Sequence, residues 1–112
     1  MVHSLTALDD AQKIRILSGS KAAQVFLKDF CKEEFRVGDK LIISYPKDQP
    51  FGVYEVVEAR ECKLLDVGFD EAREAGYPLW SLMIDDLRKS YSGVQPDSIA
   101  IFVRWRLVAE SL

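Results

Sequence analysis

Lys21, Gln24, Tyr45, Lys47, Arg104 and Arg106 are the side chains whose types and spacing best suit work on a ligand. Lys21 ends a Gly19-Ser20-Lys21 step, where a helical pattern stops and a strand-like one begins. An ammonium just past a helix carboxy terminus bonds the unpaired carbonyls there. The same flexible, strongly charged donor suits a phosphate or a base carbonyl oxygen, and both roles stay open for Lys21. Gln24 donates and accepts through one amide, which fits recognition of a base edge. Tyr45 near Lys47 sets an aromatic face beside a cation at a loop mouth, a combination that stacks a base while holding its phosphate. Arg104 and Arg106, at i and i+2 on a strand, make a local positive patch or pair with the acidic middle of the chain.

Other chemistries find less support. His3 is the only histidine, read here as part of a terminal tail, and no Ser-His-Asp set assembles around it. Cys31 and Cys62 are far apart without a CxxC partner, so neither a zinc site nor a disulfide framework is expected. The sequence calls for no metal and no cofactor.

The elements that position these residues follow from local pattern. Thr6 is a candidate N-cap with Asp9 and Asp10 in the first turn, and Gly19 is a left-handed stop, which predicts a helix over about 7 to 18. A strand is expected from Lys21 to Leu27. KLIISY, after the Val37-Gly38-Asp39 turn, and FGVYEVVEARE, after the Pro46 to Pro50 break, predict an antiparallel pair over 40 to 45 and 51 to 60. FDEAREAG reads as a short helix closed by Gly76. In the next helix Trp80, Met83, Ile84, Leu87 and Tyr91 share one apolar face. SIAIFVRWRLV alternates as a strand. The order of helix, three strands, two helices and a strand predicts an α+β fold: a small, mixed, mainly antiparallel β-barrel with helices packed on it.

Composition sets outer limits. The chain has 112 residues, 48% hydrophobic and 29% charged, which suits one domain over 1–112 with an ordinary core. A net charge of −3 argues against coating nucleic acid by charge alone. The charge is uneven: residues 11 to 47 carry eight basic and four acidic side chains, residues 48 to 86 three basic and ten acidic ones. No apolar run approaches the ~18 residues that would cross a bilayer, and MVHSLTALDD lacks the pattern of a secretory signal, so a cytoplasmic location without membrane contact is expected.

Taken together, Gly19-Ser20-Lys21, the Gly38-Asp39 turn, the Gly76-Tyr77 step and the closing IFVRWRLV strand resemble the ASCH domain, a branch of the PUA-like β-barrels, over nearly the whole chain. The resemblance implies a cleft beside the Gly-x-Lys element that binds RNA or a nucleotide. It also implies kinship with small bacterial amidohydrolases that deacetylate acetylcytidine using that Lys, a Thr three positions later and a Glu in the helical region. The matching positions here are Lys21, Gln24 and Ala75, with Glu74 one residue from the expected carboxylate. A glutamine offers neither an effective nucleophile nor a titratable group. One step on a helix turns a side chain by roughly 100°. Where those enzymes carry an Arg two positions beyond the Thr, this chain has Phe26, suited to burial or to stacking on a base.

The expectation is therefore a module that binds RNA or a modified nucleoside through Lys21, Gln24, Tyr45 and Lys47, with Arg104 and Arg106 adding charge. The alternative is a small hydrolase acting on a nucleoside amide or on RNA. A third reading is a protein-interaction adaptor using the acidic segment from 48 to 86.

Overall fold

The chain runs β1 (Val2–Thr6), α1 (Asp10–Ser18), β2 (Ala23–Leu27), β3 (Lys40–Ser44), β4 (Pro50–Lys63), α2 (Phe69–Glu74), α3 (Trp80–Ser90) and β5 (Ile99–Ala109). The computed structural model describes residues 1–109. The two apolar runs flanking the proline break pair antiparallel, with Leu41 opposite Tyr54 and Ile43 opposite Gly52. The long β4 continues past its contact with β3 and pairs along β5, which in turn takes β2 on its far side. The sheet order is β1-β3-β4-β5-β2, with β1 and β3 parallel and every other pair antiparallel. The fold is thus mixed α+β, a curled half-barrel carrying three helices.

The strand β5 lies inside the sheet, and side chains from both of its faces enter the core. Ala100 and Phe102 pack with Ala72 of α2 and with Met83, Ile84 and Leu87 of α3. Val103 and Trp105 pack on the other side with Ile16 of α1 and with Leu41, Ile43, Tyr54 and Val56. The apolar stripe of α3 seats as its spacing predicts, with Trp80 and Tyr91 half-buried at its ends and the Trp80 indole N–H donating to the Leu64 carbonyl at 3.0 Å.

The amino-terminal end departs from the sequence reading. Residues 2–6 form a strand, and Thr6 ends it opposite Ser44 instead of capping a helix. The cap is Asp9, whose carboxylate accepts the Gln12 N–H at 2.7 Å, so α1 begins at Asp10 and not at position 7. Thr6 and Asp9 are both able caps, and the claim of β3 on Thr6 decides between them. His3 is accordingly not in a loose tail. It is 1% exposed, and its Nε2 donates to Asp39 Oδ2 at 2.8 Å. Asp39 also accepts the Arg36 N–H, and the His3 bond above all lowers the Asp39 pKa to about 2.

The sheet edges β1 and β2 do not hydrogen-bond to each other, so the half-barrel has an open seam. At one level Phe35 fills it, its ring 4.4 Å from that of His3 on β1 and 5.0 Å from that of Phe26 on β2. Beyond this aromatic plug the seam is a cleft.

Candidate functional site

The cleft is organised by the route of the chain from α1 into β2. Gly19 adopts φ +85°, a left-handed conformation that suits glycine. It turns the backbone so that the Lys21 N–H bonds the Arg15 carbonyl at 3.0 Å. Ala22 is then stitched on both sides: its N–H donates to the Glu74 carbonyl at 2.8 Å, and its carbonyl accepts the Trp105 N–H at 2.9 Å. With the backbone held, the Lys21 side chain runs inward beneath Gly76, whose φ of +99° ends α2 and where an added Cβ would lie 3.6 Å from Lys21 Cδ.

Lys21 Nζ donates to the Ala75 carbonyl at 2.7 Å and to the Ala23 carbonyl at 2.9 Å. Ala75 is the C-cap of α2, so the lysine does cap a helix, but not the one that precedes it in sequence. The same side chain lines the cleft, so the two roles open in the sequence coexist. Lys21 is 5% exposed. Burial lowers its pKa from 10.5 to about 8, partly countered by the negative charge of Asp86 and helped by the positive charge of Arg15. An ammonium has three N–H donors; with two on carbonyls, one is left for a ligand. The indole of Trp105 lies 5.8 Å from Nζ and shields it from below.

The inner cleft has a volume of about 210 Å³. Its walls come from the two sheet edges, α1, the end of α2 and α3. Thr6, Gln12, Lys21, Gln24, Tyr77, Asp86, Ser90 and Tyr91 supply the polar groups, and Leu8, Val25, Phe26 and Leu87 the apolar ones. It opens into a shallower vestibule of about 590 Å³, where Asp9, Arg15, Asp85 and Lys89 join Lys21, Tyr77 and Asp86. The Tyr77 hydroxyl donates to Asp86 Oδ2 at 2.6 Å. Burial, and then the Asp86 carboxylate, raise the Tyr77 pKa, so the phenol stays protonated and remains a donor.

Of the six residues singled out in the sequence, the structure brings Lys21 and Gln24 together in this cleft. Tyr45 packs half-buried against the core on the β3 side, and Lys47 is exposed on the turn that follows; neither lines the cleft. Arg104 bonds Glu74 through Nε at 2.6 Å and Nη2 at 3.0 Å, and through Nη1 it bonds Glu58. Arg106 bonds Glu55 at 2.7 Å. Both arginines are paired with acids of the middle segment and lie outside the cleft. Glu74 is committed to Arg104, whereas its neighbour Ala75 lines the cleft.

Thr6, Gln12, Tyr77, Asp86, Ser90 and Tyr91 are polar cleft residues that the sequence does not single out as site residues. Helical periodicity puts Asp86 on the polar face of α3, but a pattern of this kind says only which side avoids the core. Thr6 reads locally as a cap, because the pairing of β1 with β3 that claims it joins segments about 38 positions apart. Tyr77 stands out in the sequence only as part of the Gly76-Tyr77 step. Among the described residues, no group of three or more His, Cys, Asp or Glu is arranged to hold a metal.

No family model matches the sequence, and no curated protein matches it. Solved structures do match. An ASCH domain from Lactobacillus crispatus JV V101 aligns with a TM-score of 0.78 and 16% identity over 96% of this chain and 80% of that one. A protein of Enterococcus faecalis V583, described by the DUF984 family model, aligns with a TM-score of 0.73 and 16% identity over 97% and 82%. The ASCH protein of Zymomonas mobilis aligns with a TM-score of 0.65 and 15% identity over 99% and 72%. At these identities the likeness is one of fold, and it runs the length of the chain: the molecule has the ASCH-domain fold.

Proposed function

We propose that the cleft binds a single nucleobase or nucleoside, free or unpaired in RNA, with a modified pyrimidine nucleoside as the best fit. The observation that carries this reading is the Lys21 ammonium, held by two carbonyls with a third N–H in reserve, in the same small cleft as the Gln24 amide. A cleft of about 210 Å³ is smaller than the roughly 300–1,000 Å³ typical of drug-sized ligands and suits one base with part of its sugar. Lys21 would donate to a base carbonyl, Gln24 would read the neighbouring edge, and the half-buried ring of Tyr91 offers an apolar wall. Tyr45, Lys47, Arg104 and Arg106 would serve only a longer RNA that extends beyond the cleft.

The test is calorimetric titration of the protein with cytidine, acetylcytidine and a single-stranded RNA oligonucleotide at two salt concentrations. Binding of at least one of these is expected, weakened about tenfold or more by Lys21→Met and by Gln24→Ala. Absence of binding by all three at low salt overturns the reading.

A hydrolytic reading gains from one observation: Thr6 brings a hydroxyl into the cleft that holds Lys21, whose pKa near 8 suits proton transfer at neutral pH. In that reading the Thr6 oxygen adds to the amide carbonyl of acetylcytidine while neutral Lys21 takes its proton. The Lys21 ammonium returns that proton to the amide nitrogen as the C–N bond breaks and cytidine leaves, and water then hydrolyses the acyl-threonine ester to release acetate. Release of cytidine from acetylcytidine, abolished by Thr6→Ala with binding retained, would establish it. Intact substrate after prolonged incubation would dismiss it.

A further inference from the structure

We infer that Asp86 is the specificity determinant of the cleft, admitting uncharged ligands and turning away those that carry a phosphate. The inference rests on the reading of the cleft as a nucleoside site and narrows it, selecting the free nucleoside over a base within RNA.

The argument starts from which acids are already occupied. Glu55, Glu58, Glu71 and Glu74 each pair with an arginine. Asp9 is spent on the N-cap of α1. Asp86 is different: among the described residues its hydrogen-bond partner is the Tyr77 hydroxyl, a neutral group that fixes the carboxylate without cancelling its charge. Asp86 also lines both the inner cleft and the vestibule, so a ligand passes it on entry and lies beside it when bound.

The surrounding charges do not reverse this effect. From α3 itself come Asp85 and Lys89; from α1 come Asp9 and Arg15; and Lys21 lies deeper, 5% exposed. The vestibule thus holds three acids and three bases, unlike the one-sign groove that a polyanion needs. A phosphate reaching for the remaining N–H of Lys21 would meet the Asp86 carboxylate in the same cleft, where like charges repel, most of all at low salt. An uncharged base meets no such penalty, and an exocyclic amino group would find in Asp86 an acceptor. Rejection by a fixed like charge is an ordinary route to selectivity.

The experiment compares cytidine, cytidine 5′-monophosphate and inorganic phosphate as probes of the full chain and of its Asp86→Asn and Tyr77→Phe variants. Asp86 is exposed, and unchanged circular dichroism and thermal unfolding serve as the check on folding. The native protein is expected to prefer cytidine over its monophosphate by about tenfold or more at low salt. Asp86→Asn should shrink that preference to within about threefold and let inorganic phosphate bind; Tyr77→Phe, which frees the carboxylate to turn, should fall between. Equal binding of the two cytidine forms by the native protein, or a preference untouched in Asp86→Asn, overturns the inference while leaving the nucleoside site intact. If no nucleoside binds, the nucleoside reading fails, and phosphate alone decides on Asp86. Phosphate bound by Asp86→Asn and not by the native protein upholds its role, and identical behaviour of the two rejects it.

Discussion

Lys21 and Arg104 are both cations drawn into the packed part of the molecule, and they are satisfied in opposite ways. Arg104 lies over the Phe102 ring at 5.3 Å, with Arg60 at 5.1 Å over the same ring, and the two guanidinium groups are shared among Glu58, Glu71 and Glu74. This network ties β4 and β5 to α2 and is closed upon itself. Lys21 has no carboxylate within ion-pair distance among the described residues; carbonyl oxygens and an aromatic face receive it. Carbonyls hold an ammonium in place without neutralising it. The difference separates scaffold from site: a cation with its charge cancelled fixes elements together, and one with its charge intact beside a cleft remains available.

The largest effect that would test this contrast lies beneath the arginines. Phe102 is fully buried and carries both guanidinium groups, so Phe102→Ala should destabilise the fold by about 4 kcal/mol in urea unfolding. A loss below about 1 kcal/mol would mean that the network holds the elements without its aromatic floor.

Lys21 makes a prediction of different form. Its pKa is about 8 in the folded protein against 10.5 in an unfolded chain. Below pH 8 both states hold the proton and the folded state bears the full cost of burying the charge. Between pH 8 and 10.5 the unfolded state binds more protons, so stability should rise with pH, by on the order of 3 kcal/mol across that window. Lys21→Met should lack this rise. Parallel stability curves for the two proteins from pH 7 to 10.5 would show that the ammonium is not desolvated.

The smallest effects fall on the arginines themselves. Arg104→Ala should cost about 1–2 kcal/mol, because it strands the partly buried Glu74 and leaves Glu58 with Arg60 alone. Arg106→Ala, with a side chain 68% exposed, should stay within about 0.5 kcal/mol. Neither should move cytidine affinity by more than about twofold if scaffold and site are separate. A tenfold loss of affinity in Arg104→Ala would join the two.

Sequence pattern alone located the β3–β4 pair, the apolar stripe of α3, the closing strand and the Gly-x-Lys corner. Each of these depends on neighbours within a few positions. It missed β1, since VHSLT is a short segment whose partner is a parallel strand far along the chain, and with it the burial of His3. It picked Lys21 and Gln24 for the cleft but could not see that Thr6, Tyr77 and Asp86 meet them there, because three separate elements converge only in space. For Arg104 and Arg106 the sequence leaves two fates open, a positive patch or pairing with the acidic middle segment, and the structure takes the second. An arginine on a strand reads the same whether it faces glutamates or solvent; the packing of α2 decides for Arg104 and the register of β4 on β5 for Arg106.

The open seam has a consequence for the order in which the molecule comes into being. Of its two edges, β1 waits for β3, and β2 waits longer, because Ala23 pairs with Arg104 about 80 positions away. Contacts so distant in sequence form late, after nearer ones have limited the search. On a ribosome the early strand β2 must remain without its sheet partner until β5 has emerged. The corner that holds Lys21 is therefore among the first parts of the chain to be made and among the last to acquire its shape, so the cleft is complete only when the fold is.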